Sequence, residues 1–269
     1  MRELFAIFGN PVHHSKSPLM HNLAFQTLRY PGCYTRWLVE DGTKLRQIFL
    51  GLGLKGANIT VPHKEAAFLA ADVVEDFAAE VRAVNTLVYE NGRLHGYNTD
   101  APGFYRALCQ LGPVKKALVI GAGGTARALS LYLRRQGIAI EIVNRSAQRL
   151  RWFREEDFVC HTWEDFTPRS YDVVINTTSA GLSDESLPMR EALLRPTLAQ
   201  ARYAVDVIYG KLTPFLREAH AHHLPTFDGT EMLLQQGILA FDHFTGHRYD
   251  LKSVEEAMRP ALTLMGEDT

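Results

Sequence analysis

The stretch GANITVPHKEAA, Gly56 to Ala67, concentrates groups that can do chemistry. Ala57 to Thr60 reads as a buried strand. Pro62 ends it, because proline cannot donate to a sheet ladder and disfavours helix at Val61. An ammonium group, Lys64, follows at once, with the amide of Asn58 and the hydroxyl of Thr60 just upstream. A solvated lysine opening a helix is the plainer reading, and a proton donor beside hydrogen-bonding groups is the chemical one. A second stretch, VIGAGGTARA, places Gly121, Ala122, Gly123, Gly124 and Thr125 at a strand-to-helix turn. Glycines at such a turn let the backbone approach a pyrophosphate, whose charge the helix N-terminus stabilises. Ala126 stands where the third glycine of the dinucleotide fingerprint is usual.

The end of the next strand is more specific. NAD enzymes carry an acidic residue roughly 20 positions after the glycine turn. Here Asn144, Arg145, Ser146 and Arg149 occupy that region, with no carboxylate among them. Guanidinium groups and a hydroxyl suit a 2′-phosphate, so the pattern predicts NADP(H) over NAD. The run AHAHH sets His220 and His223 at helical i, i+3 spacing, but nothing nearby completes a ligand set. A solvated helix end is expected there, and no metal.

The elements that must position these residues follow from periodicity and turn chemistry. LFAIFG reads as a buried first strand, closed by Gly9-Asn10-Pro11. Ser17-Pro18 has the form of an N-cap with proline at the first helical position, and the helix runs to Tyr30-Pro31-Gly32. CYTRWLV is a second strand, and Leu45, Ile48, Phe49 and Leu52 mark the next helix. Strand, helix, strand, helix, strand predicts a parallel sheet with covering helices. Asn91-Gly92 between alternating runs predicts a hairpin with type I′ geometry. That hairpin delivers GYNTD, Gly96 to Asp100, at its exit, and a helix is expected from about Pro102 to Leu111. A second series begins with KKALVIGAGG and continues with the strands IAIEIVNR, DVVINTT and YAVDVIY. Helices from about Glu231 to Phe244 and Ser253 to Leu264 close the chain. Two α/β units result, with a boundary between Asp100 and Gly112.

Composition excludes several classes. The formal net charge of -1 gives no electrostatic case for nucleic acid or an anionic membrane. No apolar run reaches the roughly 18 residues of a membrane span, and the five-residue run before Gly9 is too short for a signal-peptide core. Cys33, Cys109 and Cys160 are widely spaced, without a CxxC partner, which suits reduced thiols and a cytoplasmic location.

Taken together and in order, these segments resemble the shikimate dehydrogenase family, whose likeness spans nearly the whole chain. It is carried by SKSPLMHN (Ser15 to Asn22), NITVPHK (Asn58 to Lys64), AVNT (Ala83 to Thr86) and GYNTD. GAGGTARA, NRS, NTTSAG (Asn176 to Gly181), DVIY (Asp206 to Tyr209) and MLLQQG (Met232 to Gly237) continue it. The resemblance implies NADPH-dependent reduction of 3-dehydroshikimate to shikimate in aromatic amino-acid biosynthesis. It also implies two α/β domains around a cleft. Residues 1–101 would form the substrate domain, with the helices of 230–269 packed back on it. Residues 102–229 would form a Rossmann-type NADP-binding domain.

By the same resemblance, Lys64 and Asp100 form the catalytic pair. The chemistry agrees, since hydride transfer to a ketone needs a proton donor at the oxygen, and a carboxylate fixes an ammonium in place. Ser15 and Ser17, beside a helix N-terminus, would hold the substrate carboxylate. Thr60, Asn85 and Asp100 would take ring hydroxyls, while Tyr209 and Gln236 would reach in from later segments. Val207 and Gly229 would line the nicotinamide side. The partner is then a small molecule, with no nucleic acid or membrane, and the chain a monomer or homodimer. Three positions depart from the family pattern: Arg82 and Glu231 replace common glycines, and Ser146 replaces a threonine. Quinate dehydrogenase, methylenetetrahydrofolate dehydrogenase and a non-catalytic NADP sensor are the competing readings. The substrate motifs and the intact Lys64 and Asp100 weigh against the last two.

Overall fold

The computed structural model describes residues 2–263. Its contacts divide the chain into two units, Met1–Gly103 with Leu234–Thr269, and Phe104–Leu233. Each unit is built on its own six-stranded sheet.

The first sheet comprises β1 (Glu3–Gly9), β2 (Gly32–Leu38), β3 (Gly56–Ile59), β4 (Val73–Val74), β5 (Thr86–Glu90) and β6 (Arg93–Tyr97). Their spatial order is β2-β1-β3-β5-β6-β4. β1 pairs in parallel with β2 and β3, whereas β5 runs antiparallel to both β3 and β6. The carboxyl ends of β1, β3 and β6 therefore share one edge. Helices α1 (Ser17–Thr27), α2 (Leu45–Gly51), α3 (Lys64–Ala70), α4 (Asp76–Val81) and α5 (Asp100–Cys109) follow the strands. The hairpin between β5 and β6 has positive φ at Asn91 (51°) and Gly92 (77°), as a type I′ turn requires.

The second sheet comprises β7 (Lys116–Ile120), β8 (Ala139–Asn144), β9 (Val159–Thr162), β10 (Tyr171–Asn176), β11 (Ala201–Asp206) and β12 (Thr226–Phe227). It is parallel throughout, in the order β12-β11-β10-β7-β8-β9. Counted from β7 this is the doubly wound Rossmann order, with its switch point between β7 and β10. Helices α6 (Gly124–Arg135), α7 (Arg151–Glu155), α8 (Glu191–Leu198) and α9 (Pro214–Ala221) accompany it, while α10 (Thr230–Phe244) starts in this unit and belongs to the first from Leu234 onwards. After α10, α11 (Leu251–Met258) and α12 (Pro260–Thr263) pack on α1 of the first unit. The division between units falls within α5 and α10.

Several expected boundaries move. The helix after GYNTD begins at Asp100 rather than Pro102 and ends at Cys109. Its first turn so gains a carboxylate where the positive end of the helix dipole favours one. Ser17 is the first residue of α1 and not its cap: Lys16 is the N-cap, in αR conformation, with no capping side chain. β4, β9 and β12 are short strands without a clear sequence pattern. The expected helix end at Leu264 lies outside the described residues.

One face of the first sheet packs Phe8, Leu45, Phe49, Ile59, Leu87 and Leu94. The other carries an aromatic cluster in which Phe5 meets Phe25 and Phe244 at 5.0 Å. His21 is fully buried within it, stacked on Tyr34 at 4.4 Å, and neither ring nitrogen has a hydrogen-bond partner. Burial pushes its pKa down to about 3. A ring neutral in the folded state but free to charge below about 6.5 when unfolded draws stability down as pH falls from there towards 3. His243, lowered to about 4 by burial first, acts in the same sense. His21→Phe isolates the first effect. Between pH 7.5 and pH 5, urea unfolding of the parent should lose about 2 kcal/mol more than that of the variant. Equal losses would show that His21 is not the source.

Candidate active site

Lys64 opens α3 after the short turn that leaves β3, and Asp100 opens α5 after the one that leaves β6, so both stand at the shared carboxyl edge. Lys64 Nζ donates to Asp100 Oδ2 at 2.6 Å, with the two side chains 30% and 17% exposed. An ion pair this short, largely shielded yet reachable from solvent, presents an oriented ammonium with further N–H groups to give. The backbone on both sides is held: Val84 N donates to Lys64 O, and Gly103 N to Thr99 O. His63, 4% exposed, locks the turn before Lys64 by a 2.6 Å bond between Nε2 and Val39 O.

Behind the pair runs a buried chain of polar side chains. Tyr34 Oη donates to Asn58 Oδ1 (2.7 Å), and Asn58 Nδ2 to Thr86 Oγ1 (3.1 Å). Asn85 Oδ1 accepts from Thr99 N (2.7 Å), and Asn85 Nδ2 donates to Thr99 Oγ1 (3.0 Å). Thr86 Oγ1 joins the two halves by donating to Asn85 Oδ1 at 3.2 Å. Asn85 is thus a member of a satisfied network, with one amide N–H beyond its bond to Thr99. Thr99, next to Asp100, ties this network to the ion pair.

The serine pair lies where the loop after β1 runs into α1, with Ser15 on the loop and Ser17 opening the helix. Ser15 and Ser17 are both buried, and Ser17 N donates to Ser15 Oγ at 3.3 Å. Thr60 sits between β3 and Lys64, half-buried, its amide donating to Phe8 O at the end of β1. Gln236 is buried on α10 where that helix touches α5. A Cβ on Gly103 would come within 2.5 Å of the Gln236 nitrogen, so glycine there allows the contact. Ser15, Ser17, Thr60, Lys64, Asn85, Asp100 and Gln236 all belong to the first unit. Tyr209 belongs to the second.

In the second unit the glycine turn joins β7 to α6. Gly121 has φ +114°, and a Cβ there would lie 2.7 Å from Thr177 Oγ1. Gly123 and Gly124 are exposed, a Cβ on either would meet no atom within 4 Å, and α6 has no side-chain cap. Uncapped amides of a 12-residue helix beside open, Cβ-free backbone fit a pyrophosphate. At the end of β8, Asn144 Nδ2 donates to Ser146 O, and the exposed Arg145 lies over the Trp163 ring, 6.0 Å from its centroid. Arg149 is exposed on the following turn. These groups fit a 2′-phosphate. Val207 and Gly229 are brought into backbone contact: a Cβ on Gly229 would meet Val207 O at 2.2 Å.

Family models match both ends of the chain, the shikimate dehydrogenase substrate binding domain at residues 7–87 and the shikimate 5'-dehydrogenase C-terminal domain at 229–259. The shikimate dehydrogenase (NADP(+)) of Helicobacter hepaticus is 46% identical over 257 residues, covering 95% of this chain and 96% of that protein. The chain belongs to the shikimate dehydrogenase family. A Helicobacter pylori member is 42% identical, over 95% of this chain and 97% of its own. The crystal structure of the Thermus thermophilus shikimate 5-dehydrogenase, in complex with NADP(H) and shikimate, superposes with a TM-score of 0.84 at 38% identity. That match covers 96% of this chain and 99% of the other.

Two of the three departures from the shikimate dehydrogenase pattern, Arg82 and Glu231, have a local setting, and nothing in the structure explains Ser146. Arg82 ends α4 in the left-handed conformation that glycine favours, φ 52°, with its guanidinium over the Phe68 ring. Glu231 adds a carboxylate to the first turn of α10 and accepts from Gln110 at 2.8 Å. His220 bonds Thr226 Oγ1, and among the described residues no three His, Cys, Asp or Glu side chains are placed to hold a metal.

Sequence reasoning missed Tyr34, Thr99 and Asp206. Asp206, fully buried, accepts from Ile208 N (3.0 Å), Asn176 Nδ2 (3.0 Å) and Thr213 Oγ1 (2.7 Å), and so fixes the loop carrying Val207 and Tyr209. Burial pushes its carboxyl pKa up against those bonds. Its signal was present in DVIY, and that of Thr99 in GYNTD. Asn58→Leu would leave the Tyr34 hydroxyl buried without its partner and remove the donor that Asn58 supplies to Thr86. Urea unfolding should then report a loss of roughly 2 kcal/mol or more, whereas a loss under about 0.5 kcal/mol would show that the polar chain adds nothing to stability.

Proposed function

We propose that this chain catalyses the reversible NADP(H)-dependent reduction of 3-dehydroshikimate to shikimate, as an oxidoreductase acting on a CH–OH group in aromatic amino-acid biosynthesis. The observation that carries the reading is the 2.6 Å Lys64–Asp100 pair at the carboxyl edge of the first sheet. Residues 1–101 and 230–269 act as the substrate domain and residues 102–229 as the NADP domain. The net charge gives no case for nucleic acid and the three free cysteines suit a cytoplasmic location, and the chain acts on a small molecule as a monomer or homodimer.

NADPH, when bound, supplies the hydride. Gly121, Ala122, Gly123, Gly124 and Thr125 would hold its pyrophosphate. Asn144, Arg145, Ser146 and Arg149 would hold its 2′-phosphate, and Val207 and Gly229 would line its nicotinamide. Lys64 Nζ gives a proton to the C3 oxygen of the substrate as charge develops there, and takes it back in the reverse direction. Asp100 fixes the ammonium in line with that oxygen and accepts from a neighbouring hydroxyl of the ring. Ser15 and Ser17 receive the carboxylate near the N-terminus of α1, whose field favours an anion. Thr60, Asn85, Tyr209 and Gln236 take the remaining hydroxyl and carboxylate oxygens. A buried, prebonded Asn85 holds its second amide N–H in one direction, which selects the ring stereochemistry it accepts.

Initial rates of nicotinamide reduction, pairing shikimate or quinate with NADP or NAD, test the assignment. Shikimate with NADP should exceed every other pair at least tenfold in kcat/KM. Dominant turnover of quinate would overturn the substrate, and equal or better use of NAD would overturn the reading of Arg145 and Arg149.

A further inference from the structure

The loop bearing the serine pair is gripped by a residue from a different strand. Arg36 lies on β2 opposite Ile7 of β1, two residues after Tyr34 and so on the same face of the sheet. That face is covered by α1, whose Asn22 exchanges two hydrogen bonds with the Tyr34 backbone. From there the Arg36 side chain reaches forward to the carboxyl edge. Its Nε and Nη2 both donate to the Ser15 carbonyl oxygen, at 2.9 and 2.6 Å. Ser15 Oγ in turn accepts from Ser17 N. The chain of bonds runs from a strand through one guanidinium to both serines.

An exposed arginine satisfying a loop carbonyl is the plainer account, and three features go beyond it. The carbonyl belongs to a buried residue, and the bond ties its loop to a different element, β2. The grip uses two donors in a fork, leaving three N–H groups of the guanidinium for another acceptor. The residue gripped is one of the two serines placed at the N-terminus of α1, where an anion is already favoured. We propose that Arg36 is a positioning and specificity-determining residue of this site, which fixes the Ser15–Ser17 loop and makes its pocket selective for a carboxylate over a neutral group. The proposal rests on the reading of Ser15 and Ser17 as the carboxylate subsite, and the experiment separates the two.

Steady-state kinetics of the full chain with saturating NADP would compare shikimate with its neutral methyl ester. The proteins are the parent, Arg36→Met, Arg36→Lys and Ser15→Ala, each checked by thermal melting. Arg36→Met should raise KM for shikimate roughly tenfold, the scale of one charge-assisted interaction. Its kcat and its KM for NADP should stay within about twofold of the parent. Arg36→Lys, which keeps the charge but not the fork, should recover part of the loss and stands in if the methionine variant does not fold. On the methyl ester the penalty of Arg36→Met should shrink below about threefold. An unchanged KM for shikimate in Arg36→Met, alongside a raised one in Ser15→Ala, would overturn the role of Arg36 and leave the serine reading standing. No effect in either variant would overturn both. An equal penalty on acid and ester would overturn the charge selectivity.

Discussion

The structure is organised around one ion pair. Two charged side chains, 36 residues apart, meet at 2.6 Å only because β3 and β6 run in the same direction and end at the same edge. The antiparallel β5 makes this possible: it returns the chain between them, so that two helices, α3 and α5, start side by side, one with the lysine and one with the aspartate. A slip of either strand by one residue would turn its side chains to the other face and shift the exit from which its helix starts. The hairpin at Asn91-Gly92, the turn at Val61-Pro62 and the buried Asn85 are all means of fixing that register and its exit.

What holds the pair also explains the buried polar chain behind it. Tyr34, Asn58, Thr86, Asn85 and Thr99 lie where an apolar core would have been simpler, and each one is satisfied. Partly satisfied, such a chain would cost more than it gives; complete, it allows very few arrangements of the strands it crosses. The second unit repeats the device on a smaller scale, with Asp206 fixing Asn176, Thr213 and the loop of Tyr209. In both units a buried polar hub sits one step behind the residues proposed to face the ligands, which leaves the outer groups few ways to move.

Much of this is legible wherever the physics is local. The type I′ hairpin and the glycine turn demand unusual φ or an absent Cβ, and sequence states both directly. The parallel order of the first three strands follows from their alternation with helices. Ser17 departs from its expected capping role because Ser-Pro has the same form whether serine caps a helix or begins it. The conformation of Lys16 decides between them, and nothing in its identity reveals that. No sequence pattern links Tyr34 with Asn58, since their contact depends on β2 and β3 flanking β1. Strands as short as β4 and β12, two residues each, exist only through their partners and carry no pattern of their own.

The proposal that Lys64 and Asp100 act as one unit in moving the proton is tested most directly by a double-mutant cycle on kcat. With saturating shikimate and NADP, Lys64→Ala should lower kcat by roughly 100-fold or more. Adding Asp100→Asn to it should lower kcat little further, because groups that act together are lost together. Losses that multiply, or a fall of less than about fivefold for Lys64→Ala alone, would contradict the account.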